Sequence, residues 1–287
     1  MMRWAWATVM AACGTSVGGD SVPGTRAGDP AAVLDAPAWP DEGAWLAQHE
    51  SLPIVDEGLA AVSEARRQSH CFPPGSAPEE ERAQGERCDL ELVYEVAGAG
   101  PLRRMAVMRM TVGFDLDRSV LYLLALEAPR GWTFMSGVLA DHSVASDGRF
   151  GFRLAIDRVA RHDVSGGGAV LAFDAIDADM ETGPETAEGE TAIETTTRTT
   201  WWCHLASDGG PRCLVVPTAG KVERLLANTP ARAVPIAAWS RRVVLEGDAL
   251  VIGEGRGEAP TSPAVPAGRV ALSRAEGVLP VAMPVVD

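Results

Sequence analysis

Lysine is almost missing from this chain: Lys221 is the only one among 25 basic residues. Arginine supplies the rest, which reads as the mark of a high-GC coding sequence rather than of a guanidinium-specific function. Acidic residues number 39, so the formal net charge is −14. Such a surface repels phosphate backbones and anionic headgroups, which argues against nucleic-acid binding. Ligand and catalytic motifs are missing too. No C-x-x-C pair occurs, and His70-Cys71 and Cys203-His204 are adjacent pairs with poor ligand geometry, so zinc is not expected. The nucleophile-elbow pattern G-x-S-x-G is absent, and Ser136 in Phe134-Met135-Ser136-Gly137-Val138 lacks its first glycine. Ser165-Gly166-Gly167-Gly168 is not followed by G-K-[ST] and reads as a turn. The stretch Asp174, Asp177, Asp179, Glu181, Glu185, Glu188, Glu190 and Glu194 contains no Lys or Arg and lacks EF-hand spacing. It reads as a solvated loop rather than a calcium site. No metal, no cofactor and no repeated unit follow from the sequence.

What the chain does have begins at its N-terminus. Arg3 precedes nine uncharged residues, 4–12, and Met10-Ala11-Ala12 lead into Cys13. A cationic start, a short apolar run and small residues before a cut are the parts of a secretory signal. The run is far below the roughly 20 residues that a membrane-spanning helix needs. With the cysteine in place, residues 1–13 resemble a bacterial lipoprotein signal peptide. The resemblance implies that residues 1–12 are removed, that the Cys13 thiol takes the lipid, and that the membrane is a partner through this anchor. Met10 stands where the family usually has Leu, and Trp4 and Trp6 sit in the short apolar run. Gly14 follows the cysteine, where an Asp would retain the protein at the inner membrane, so the resemblance implies an outer-membrane or periplasm-facing location.

Four cysteines remain once Cys13 is set aside: Cys71, Cys88, Cys203 and Cys213. An even remainder suits an oxidising compartment, and four cysteines allow three pairings. Cys203 and Cys213 flank Asp208-Gly209, a strong hairpin signal; with the hairpin centred there, they face each other across two strands at a spacing that a disulfide spans. Cys71 and Cys88 enclose a polar stretch with three prolines. Closing a loop of that length stabilises by roughly 3 kcal/mol on the chain-entropy account.

The rest of the chain divides simply. Residues 13–40 are rich in Gly, Pro, Asp, Ser and Ala and read as a flexible tether. Residues 41–287 read as a single β-rich domain with one or two short N-terminal helices. One helix is expected over 41–48. A second follows Pro53, with Ile54, Leu59, Ala61, Val62 and Ala65 on its apolar side. From Leu90 the hydrophobic period becomes two. Ala106, Met108, Met110, Val112, Phe114 and Leu116 share one face; residues 120–126 are continuously apolar, as in a central strand. Further strands are expected near 150–157, 170–173, 191–205, 213–216, 242–246, 249–253 and 270–272. About nine or ten strands follow one another without alternating helices. The fold class is therefore all-β, mainly an antiparallel meander, closing as a barrel, a half-barrel or a sandwich.

Function is less legible than fold. Met108 and Met110, facing Phe150 and Phe152 across a barrel, can line a cavity for an apolar ligand. The order of strands and helix loosely resembles lipocalins and half-barrel lipoprotein carriers, with no motif of either. Asp141-His142 and His162-Asp163 are neighbours whose side chains point to opposite faces in a strand. Both pairs read as lying near turns. A surface-anchored hydrolase needs His142, His162 or His204 to converge with a carboxylate and a serine from elsewhere. The leading expectation is a non-catalytic, lipid-anchored cell-envelope protein that binds an apolar ligand or an envelope protein partner.

Overall fold

Asp56 begins α1 (Glu57–Cys71) by accepting a hydrogen bond from the Leu59 N–H at 2.8 Å. This is ordinary N-capping, in which a carboxylate satisfies one of the first free amides. In the computed structural model, residues 39, 45–46, 50–72, 87–113, 118–144, 152–165, 168–183, 191–226, 229–258 and 265–272 are described. The helix thus starts four residues after Pro53, and Ile54 lies outside it. A nearby side-chain cap prevails over proline's preference for a first turn. Of the expected helix over 41–48, only Trp45 and Leu46 are described, and neither is helical.

Every other element is a strand. The first sheet holds β1 (Arg87–Ala99), β2 (Leu102–Gly113), β3 (Arg118–Ala128) and β4 (Gly131–Val144) in chain order. The second holds β5 (Phe152–Val164), β6 (Gly168–Thr182), β7 (Thr191–Leu205), β8 (Pro211–Leu226) and β9 (Thr229–Ser240), again in chain order, with β12 (Arg256–Gly257) on the far edge of β9. A small third sheet joins β10 (Val243–Glu246), β11 (Ala249–Ile252) and β13 (Gly268–Ala271). Every pairing is antiparallel. The all-β meander is therefore present, with thirteen strands among the described residues. No pairing between them joins the two large sheets into a closed barrel.

Side-chain alternation stacks these parts into layers. Leu123, Ala125, Met108 and Met110 point toward α1 and pack with Leu59, Cys71 and Trp132. Their neighbours Val107, Tyr122, Leu124 and Leu126 point the other way, against Leu154, Leu171, Phe173 and Trp201 of the second sheet. The far side of the second sheet buries Val170, Ala172, Trp202, Leu214 and Val216 beneath Leu250, Ile252, Val265 and Leu272. Strands in the two middle layers are covered on both faces, which is why β3 reads as an unbroken apolar run.

β9 escapes a sequence reading because Pro230 and Pro235 interrupt it, and proline demotes a run to an edge or a loop. It does lie outermost along most of its length. A charged cluster fixes α1 to the first sheet. Arg104 binds Asp56, Glu95 and Glu127 and lies 4.9 Å from the Trp132 ring, whose Nε1–H donates to Asp56 at 3.0 Å.

Candidate functional site

The Met108–Phe152 cavity does not assemble. Met108 and Met110 are fully buried on the α1 side of the first sheet, whereas Phe152 lies in the core on its opposite side. Packing explains the separation: each methionine gains roughly 1.5–3 kcal/mol by burial beneath the helix. Phe150 and Cys13 lie outside the described residues. All four remaining cysteines are joined. Cys71 and Cys88 tie the last turn of α1 to β1, with Cα atoms 6.3 Å apart. Cys203 and Cys213 are direct partners across the β7–β8 hairpin at 4.1 Å.

His142 and His162 are strand residues two positions from the ends of β4 and β5, and Ser165 begins the turn after β5, as expected of pairs near turns. His142 is 2% exposed and stacks on Phe152 with ring centroids 4.5 Å apart, and Tyr122 meets it edge-on. Its Nε2 lies 3.0 Å from Asp177 Oδ1 on β6, although the ring N–H is not well aligned on that oxygen. The carboxylate partner thus comes from the other sheet, not from neighbouring Asp141. Burial raises Asp177 above the usual carboxylate range, against the opposing pull of His142. Burial also raises the Tyr122 phenol. His162 tilts against Trp202 on the outer face of the second sheet, and His204 contacts the Leu205 carbonyl. The three histidines do not converge, and Ser136 is exposed on β4.

The acidic stretch is also corrected. Asp174, Asp177 and Glu194 are strand residues, each met by a basic side chain from another strand: Arg158, His142 and Arg153 respectively. The remaining strand carboxylates Asp179 and Glu181 are exposed, while Glu185, Glu188 and Glu190 lie outside the described residues.

The densest polar constellation lies on the outer face of the second sheet. Register places Arg153, Ala178, Thr196 and Lys221 in one row across β5, β6, β7 and β8. Alternation along β7 adds Glu194, Arg198 and Thr200 to that face. Asp174 is 2% exposed and accepts from both the Nε and Nη2 of Arg158; Thr200 donates to it at 2.6 Å, and Arg198 Nη1 lies 3.6 Å away. Thr218 donates to the Arg198 carbonyl at 3.3 Å. Burial, followed by the repulsion of Arg158, brings the 1% exposed Arg198 down to about 10.

Arg158 reaches Asp174 because β5 carries an extra residue between Asp157 and Ala160. Arg158 takes φ +49° there, the only positive φ of a residue other than glycine among the described residues. That backbone costs an L-residue roughly 1–2 kcal/mol, offset by the two hydrogen bonds to Asp174. The sequence carries a trace of this bulge: inward apolar positions run 152, 154, 156 and then 159, a one-residue phase slip.

Trp39 and Trp45 lie over this face. The Trp39 ring has Arg198 at 5.2 Å and Lys221 at 5.5 Å, and the Trp45 ring has Arg153 at 5.1 Å. Each contact contributes about 0.5–1 kcal/mol where water reaches it. The Leu46 N–H donates to the Leu154 carbonyl, and its side chain enters the inter-sheet core. Trp39, assigned by sequence to the tether, is therefore packed on the domain. Buried Arg198 beside Asp174 was not anticipated; one arginine in a threonine-rich strand gives no signal of its depth. No protein family, no curated protein and no solved structure matches this chain.

Proposed function

We propose that this is a non-catalytic module of the bacterial cell envelope, anchored by lipid on Cys13 and presenting a disulfide-stapled β domain to a protein partner. The observation that carries the reading is the pairing of Cys71 with Cys88 and of Cys203 with Cys213. Cys13 is the one cysteine outside these two pairs, and structural disulfides belong to oxidising compartments. The signal-like residues 1–12 supply the route there, and the acyl chains on Cys13 would hold the chain at the membrane. The hydrolase reading has one supporting contact, His142 with Asp177, but that imidazole is enclosed by Phe152 and Tyr122 between the sheets.

Intact-mass measurement on protein extracted from membranes tests the proposal. The expected species begins at Cys13, carries a diacylglyceryl adduct and has no free thiol. Retention of residues 1–12 with free thiols overturns it, as does unchanged membrane association of Cys13→Ala.

A further inference from the structure

β4 crosses the inner face of the second sheet obliquely. It begins beside the β7–β8 turn, where Arg130 lies against Gly209, and ends over β6, where His142 meets Asp177. One corner of that face lies outside the crossing. Near the turn, Trp201 and Cys203 are buried between the sheets. Farther along the same side of β7, Thr199 and Thr197 are half-buried and Thr195 is exposed. Register extends this corner sideways in rows. Asp177, Thr197, Gly220 and Trp239 form one row across β6, β7, β8 and β9, and Asp179, Thr195, Val222 and Ala237 form the next. Trp239 is half-buried, and its ring occupies the space that a Cβ at Gly220 would need, so it lies along the sheet toward Thr197. Arg224 lies on the same face one row farther on, and its Nε has no hydrogen-bond partner among the described residues.

We propose that this corner binds a neutral chain of β-1,4-linked pyranose sugars, with Trp239 as the stacking platform and Thr195, Thr197, Asp179 and Arg224 as hydrogen-bonding partners. The chemistry of the corner selects the ligand. Its floor of Thr195, Thr197, Gly220 and Val222 is uncharged, and its margins carry opposite signs, Asp177 and Asp179 on β6 and Arg224 on β8. An anion would meet the two carboxylates, and a cation would meet the guanidinium. A sugar hydroxyl both donates and accepts, so it uses carboxylate, guanidinium and threonine alike. An apolar ligand would strand the threonine hydroxyls. The indole offers a broad apolar surface beside those groups, and a gluco-configured β-1,4 chain is a flat ribbon whose rings present C–H faces to it. From Trp239 to Asp177 the row crosses three strand spacings, about 14 Å, room for more than one sugar ring. The inference is independent of whether Cys13 carries lipid.

Isothermal titration calorimetry on the full chain tests this with three hexasaccharides: cellohexaose, N-acetylchitohexaose and, as the α-linked control, maltohexaose. The first two separate a plain glucan from an N-acetylated one. At least one of them should bind with a Kd of about 1 mM or below, and maltohexaose at least about tenfold more weakly. Trp239→Ala should weaken the better ligand at least about tenfold, and Arg224→Gln about threefold, each with a cooperative melt retained. Absence of binding by both β-linked probes overturns the proposal, as does equal binding of maltohexaose or wild-type affinity in a folded Trp239→Ala. Should Trp239→Ala not fold, Thr195→Lys at the exposed row decides. It should weaken the better ligand at least about tenfold, and unchanged affinity overturns the proposal.

Discussion

Removing the Asp174 carboxylate tests the account of the polar face most directly. Asp174→Ala takes away the carboxylate to which Arg158 and Thr200 donate and which is the ion partner of Arg198 at 3.6 Å. Arg158 is about half exposed and can turn its guanidinium to water, so its loss costs little. Arg198 is 1% exposed and has no such exit. Stranding one charge of a buried pair costs about 3–5 kcal/mol, and the freedom of Arg158 places this case near the lower end, at about 3 kcal/mol. In a domain of this size that lowers Tm by roughly 6–12 °C. Urea unfolding at pH 7, followed by tryptophan fluorescence and circular dichroism, gives the number. A companion pair isolates the bulge. Arg158→Gly removes the same hydrogen bonds as Arg158→Ala but relieves the φ +49° backbone, so glycine should be the more stable by about 1 kcal/mol. That is the reverse of the usual order in a strand. A loss below about 1 kcal/mol for Asp174→Ala, or alanine more stable than glycine at 158, refutes the reasoning.

Other outcomes follow from the same structure. Cys71→Ser/Cys88→Ser should cost about 3 kcal/mol on the chain-entropy account, with exchange in α1 rising before exchange in β7, because that bridge alone crosses from helix to sheet. Hydrogen exchange with mass spectrometry reads the order. Arg104, followed by the Leu59 amide, holds Asp56 below the usual carboxylate range. A lowered folded pKa gives stability that is present above the ordinary Asp range, about 4, and lost as pH falls through the depressed value. Protection of α1 should therefore persist to about pH 4 and fail below it, and Asp56→Asn, still a good cap, should flatten that dependence. For Asp177 the shift is upward, so its contribution is present below the ordinary Asp range and fades as pH rises. The stability of Asp177→Asn relative to wild type should accordingly increase between pH 4 and pH 7 in parallel urea titrations. Gly220 leaves no room for a side chain, since a Cβ there would lie 2.4 Å from Trp239 Nε1. Gly220→Val should displace that ring and give a Tm lower by several degrees, read by calorimetry.

Particular elements separate what the linear chain carries from what it does not. The β7–β8 hairpin was readable because its information is local. Asp208-Gly209 marks the turn, and a loop centred on Asp208 sets Cys203 opposite Cys213. The meander was readable for the same reason, as period-two runs joined by short turns leave few other topologies. The barrel alternative depended on how far the sheets curve and close, which no local pattern encodes. Met108 and Phe152 look alike in sequence, as apolar residues on alternating strands. Which face each joins depended on a helix covering one side of the first sheet and a second sheet covering the other.

Charged residues show the limit most clearly. Asp174, Asp177 and Glu194 read as solvated because their local sequence holds no cation, yet Arg158, His142 and Arg153 reach them from other strands. The sequence by itself determined most of the strands, the hairpin disulfide and the odd cysteine at position 13, because turn chemistry and periodicity act over a few residues. Only the tertiary structure decided the layering, the burial of Arg198 beside Asp174 and the docking of Trp39. Each of these depends on residues far apart in the chain sharing a low-dielectric space that neither creates alone.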